Sequence, residues 1–60
     1  MNILELKEIR TEGERAFTNG ASANTNPYDK DILPIEYLAW AHGFNEALQW
    51  DYLIKLNEKY

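Results

Sequence analysis

Apolar and small residues recur at helical spacing in two separate stretches of this chain, and that pattern restricts it to an all-α design. Ile3, Leu6, Ile9, Gly13, Ala16, Phe17 and Gly20 fall on one face of a helix running from Asn2 to about Asn19. Glu5, Glu8, Glu12 and Arg15 occupy the other side, the usual solvated face of an amphipathic helix. Asn2 followed by Glu5 forms a weak capping box at its start. Helical spacing resumes at Asp31 and continues to about Lys59, with Asp31 as the expected cap and Pro34 confined to the first turn.

Between the two helices, Gly20 to Tyr28 reads as a loop. Gly20 suits the position just past a helix end, and Pro27 pushes Asn26 out of helical geometry. Asn24, Thr25 and Asn26 can bond local backbone groups. Tyr28 then serves either as a plug beneath the loop or as a stacking surface, and the need to anchor the loop favours the plug. The expected architecture is a single two-helix domain over residues 1–60, a helical hairpin with a Pro-Tyr-containing loop and a longer second helix.

That second helix carries two stripes. Tyr37, Trp40, Ala41, Phe44, Ala47 and Leu48 form the one assigned to the first helix. Gln49, Leu53, Leu56 and Tyr60, spaced by four, three and four, form a short heptad-like seam on the far side. A helix of about 25 residues is near 37 Å long, so the first helix covers only part of it. The seam is therefore the expected partner-binding surface, for self-association as a homodimer or for docking on a partner. Gly13 costs about 1 kcal/mol of helix propensity relative to alanine. Its place in the middle of an apolar face points to close approach of another backbone or a large ring, against the alternative of a tolerated exposed glycine.

Composition narrows the function. Sixty residues bury little surface, and the absence of cysteine removes disulfides and thiolate metal sites. His42 is the only histidine and reads as a surface or interface residue. Glu8 and Glu12 read as a solvated pair, and Asp51 as exposed beyond a core ending at Leu48. No phosphate-binding loop is present, because Gly13 and Gly20 have no adjacent Lys-Ser or Lys-Thr. The expectation is a non-enzymatic protein without cofactor or metal. The net charge of −4 argues against generic nucleic-acid binding. The lack of a long apolar stretch and of a signal pattern at Met1–Glu5 points to a cytoplasmic protein.

Taken in order, Gly13, Ala16 and Gly20, then Pro27-Tyr28, then Trp40, Gly43, Phe44 and Ala47 resemble the ribosome modulation factor family and the related small proteins known as ciprofloxacin-resistance proteins of bacteria and phages. The resemblance covers about Glu12 to Leu48. It implies two helices whose crossing is set by the glycines and the Pro-Tyr pair, and a ribosome-binding role that modulates translation. An acidic inhibitor, phage-encoded or bacterial, that occupies a basic surface of a host protein is the alternative function. A small-molecule-modifying resistance enzyme is a more distant third.

Overall fold

The computed structural model describes residues 3–59. Two α-helices are joined by a loop: α1 spans Ile3–Thr18 and α2 spans Pro34–Lys59, with a single 3-10 turn at Ala23–Thr25 between them. This is the expected pair of helices joined by a loop, with the second the longer, and the described residues contain no strand. Asn2, the expected cap of the first helix, and Tyr60, the end of the expected seam, lie outside the described residues.

The end of α1 follows from Gly20. Its φ of 86° is left-handed, a conformation glycine adopts without a Cβ penalty. The Gly20 N–H donates to Phe17 O at 3.0 Å and the Ala21 N–H to Ala16 O at 2.9 Å, the paired bonds of a Schellman motif. They satisfy carbonyls that the helix leaves without partners.

The start of α2 differs from expectation. Asp29, not Asp31, organises it. The Asp29 carboxylate accepts from the Asp31 N–H at 2.7 Å and the Ile32 N–H at 3.3 Å. The Leu33 N–H donates to Asp29 O at 2.7 Å. This turn ends in Pro34, which takes the first helical position, where its missing N–H costs nothing. The helix thus begins three residues later than the sequence suggests.

Ile3 and Leu6 of α1 line one groove with Ile35, Leu38 and Ala39 of α2. The two helices therefore start at the same end of the molecule, and the connection must travel back beside α1. It is pinned on the way. Asn26 donates through Nδ2 to the Tyr37 carbonyl of α2 at 3.1 Å and accepts from the Tyr28 N–H at 3.0 Å. The Tyr28 hydroxyl donates to the Glu12 carboxylate of α1 at 2.9 Å.

The core is small. Ile9, Trp40 and Phe44 are its buried side chains, with Ala16, Phe17, Tyr28 and Ala39 packed partly buried around them. Trp40 and Phe44 stack at 5.4 Å, and Phe17 meets the Phe44 ring edge-on at 5.5 Å. Both arrangements suit the ring quadrupoles. At the crossing the backbones touch. A Cβ on Gly13 would overlap the Trp40 carbonyl oxygen and lie 2.9 Å from Phe44 N. A Cβ on Gly43 would overlap the Arg10 carbonyl oxygen and lie 2.8 Å from its carbon. Gly13 is thus buried at a close backbone approach, and Gly43 mirrors it from the other helix. Leu48, expected on the covered stripe, is 45% exposed, because the contact runs through Trp40, Gly43 and Phe44 and turns away from position 48.

Candidate interaction surfaces

Beyond the crossing, α2 outruns α1. The molecule is 43 Å along its longest axis, and the C-terminal turns of α2 form its projecting end. Of the expected seam, Gln49 and Leu53 are exposed and Leu56 is half-buried. Trp50 at 65% and Ile54 at 56% are also exposed, and sequence reasoning had not singled them out. The signal was present. Gly43, Ala47, Trp50 and Ile54 are spaced by four, three and four, so the side of α2 that α1 covers continues past the end of α1. Asp51, read as exposed, is half-buried beside it and pairs with Lys55 at 3.0 Å one turn on, an arrangement worth about 0.3–0.5 kcal/mol on a helix surface.

A second apolar surface lies at the opposite end. The groove between the first turns of the helices has a volume of about 420 Å³. Its floor is Ile3, Leu6, Ile35, Leu38 and Ala39, and Lys7, Arg10 and His42 stand at its rim. Ile35 and Leu38 are 58% and 64% exposed, so this face of α2 is open as well. His42 is exposed, as expected for a surface or interface histidine.

The rim is held by one ionic cluster. Arg10 donates to Glu46 Oε2 through Nε at 2.9 Å and through Nη2. Glu46 Oε1 lies 3.7 Å from His42 Nε2. The hydrogen bonds from Arg10 hold the Glu46 carboxyl below the usual carboxylate range, and the same carboxylate pushes the Arg10 guanidinium up. Glu46 therefore adds stability that is present above its unfolded-state pKa and lost as pH falls through its lower folded value. Solvent screening keeps that contribution small.

Tyr28 is partly buried against the core, with its hydroxyl at the surface. The hydrogen bond to Glu12 favours the neutral phenol, so the Tyr28 pKa lies above the ordinary tyrosine value. Its contribution to stability is present at neutral pH and lost as pH rises through the raised folded value. Spectrophotometric titration of the four tyrosines is expected to show one that ionises late. Tyr28→Phe is expected to remove that late step. If the curve keeps it, the bond to Glu12 does not hold the phenol.

The outer face of α1 carries a shallow depression lined by Lys7, Glu8, Glu12 and Arg15 among others. Opposite charges alternate there, so it presents no continuous acidic strip. Among the described residues no helix is long and apolar enough to cross a membrane. Comparison of the chain with family models, with curated proteins and with solved structures gives no match.

Proposed function

We propose that this protein is a non-enzymatic binding module that modulates the translation machinery by docking the projecting half of α2 on a ribosomal surface. The observation that carries the reading is the exposure of Trp50 and Ile54 on a helix end that α1 does not reach. A chain with so small a core gains from covering such residues, since full burial of a large apolar side chain is worth roughly 1.5–3 kcal/mol. Tryptophan is also a preferred anchor at protein interfaces. The choice of the ribosome as partner rests on the resemblance to ribosome modulation factors, whose shared residues here include the two glycines at the crossing and the Pro-Tyr pair of the loop.

The alternative, an acidic inhibitor of a basic host protein, has less support. Glu12, Glu46 and Asp51 are engaged by Tyr28, Arg10 and Lys55 of the same chain. They are therefore less available to imitate a phosphate backbone.

Affinity capture from a bacterial lysate over a range of salt concentrations tests the reading. Ribosomal RNA and ribosomal proteins are expected in the eluate, and Trp50→Ala with Ile54→Ala is expected to lose them. Recovery of a single basic enzyme instead would support the inhibitor. Capture unaffected by the double substitution would move the interface elsewhere on the molecule.

A further inference from the structure

The open face of α2 is nearly a palindrome. Ile35, Leu38 and His42 begin a stripe that continues through Asn45, Gln49, Leu53 and Leu56 at spacings of three and four. It lies opposite Trp40, with its start bordering the groove shared with α1, and it runs about 31 Å at 1.5 Å per residue. Its two ends are apolar and its middle is polar. We propose that this face binds a second copy of the chain, with the two α2 helices antiparallel and related by a two-fold axis beside Asn45 and Glu46.

In that arrangement Ile35 of one copy meets Leu56 of the other, and Leu38 meets Leu53. His42 lies opposite Gln49, and Asn45 and Glu46 flank the axis. Every apolar residue of the stripe faces an apolar one, and His42 faces Gln49, which can hydrogen-bond to it. Sliding the register by one heptad breaks the match, because Ile35 then faces Gln49, or His42 faces Leu56. An isologous contact satisfies both ends at once, since the same patch covers itself.

The shape agrees with the pattern. The apolar groove of about 420 Å³ lies at the start of α2, and the projecting end lies at its finish. Antiparallel pairing brings the projecting Leu53 and Leu56 of each copy over the groove of the other, and would cover Ile3, which is 70% exposed in the single chain. A parallel pair would set His42 against His42, and would leave each groove facing another groove. The inference rests on the proposed function only in treating α2 as the binding element. It assigns the stripe to a second copy and leaves Trp50 and Ile54, on the α1-facing side, for the other partner.

The chain has no cysteine, so introduced thiols report the geometry without background. Sedimentation of the wild type at high concentration is expected to give twice the 7.0 kDa chain mass. Leu38→Glu or Leu53→Glu is expected to weaken association by about tenfold or more, and both positions are exposed enough to leave the fold intact. A mixture of Leu38→Cys and Leu53→Cys chains, treated with a short thiol cross-linker, is expected to join one variant to the other. Each variant alone is expected to remain unlinked. Self-linking of each variant alone would show a parallel pair and overturn the proposal, as would a dimer that links in neither sample. A monomeric wild type that still captures ribosomes would overturn the dimer and spare the binding reading. A dimer that captures nothing would do the reverse.

Discussion

Alanine at position 13 or at position 43 is expected to strain the crossing of α1 and α2 and to cost the chain about 2 kcal/mol of stability or more. In isolation the change favours the helix, by about 1 kcal/mol of propensity at either site. The added methyl, however, meets backbone: the Trp40 carbonyl in one case and the Arg10 carbonyl in the other. A flexible side chain could swing aside, but a helical carbonyl moves only with its helix. Overpacking of a well-fitted contact typically costs 1–3 kcal/mol, occasionally more, and an obstruction made of backbone falls at or above the top of that range. A domain of this length has about 3–9 kcal/mol in total. Gly13→Leu is expected to be worse than Gly13→Ala. Urea unfolding followed by circular dichroism checks the series. Midpoints for Gly13→Ala and Gly43→Ala at or above the wild-type value would show that the helices cross elsewhere.

Trp40→Ala is expected to have an effect of similar size by the opposite route, leaving a void where Gly13→Ala creates a clash. Trp40 is only 3% exposed and stacks on Phe44, which itself meets Phe17. Truncating a buried aromatic to alanine typically costs 3–5 kcal/mol. With three buried hydrophobic side chains among the described residues, few neighbours remain to close the gap. Trp50→Ala is the matched control, because Trp50 is 65% exposed and loses little packing. A surface change of that kind usually stays within about 0.5 kcal/mol. Thermal unfolding of the two variants is expected to give a large loss for Trp40→Ala and almost none for Trp50→Ala. Equal losses would mean that both indoles are packed.

The elements themselves were legible because their signals are local. The 3.6-residue period placed both helices, and Gly20 marked the end of the first through its tolerance of a left-handed backbone. The start of the second was less legible. Asp29 and Asp31 are both acceptable caps by residue type, and only the turn closed from Leu33 to Asp29 decides between them. Gly13 was readable as a close-approach glycine because it interrupts an apolar face. Gly43 was harder, since its partner at Arg10 lies on the other helix and 33 positions away leaves no periodic trace. Trp50 and Ile54 show a further limit. Their spacing repeats that of Gly43 and Ala47, but whether such a line is core or surface depends on where α1 stops.

By itself the sequence determined two helices of unequal length, the glycine-ended first helix and a loop with Pro27 and Tyr28 as its fixed points. These depend on backbone preferences and on the period of apolar residues, and both act between near neighbours. The tertiary structure decided how the helices lie together. Both start at one end of the molecule, so the loop returns along α1 and is tied to Glu12 by Tyr28 and to Tyr37 by Asn26. It also decided which apolar residues remain in water. A stripe is buried only where another surface reaches it, and that reach is set by the crossing at Gly13 and Gly43.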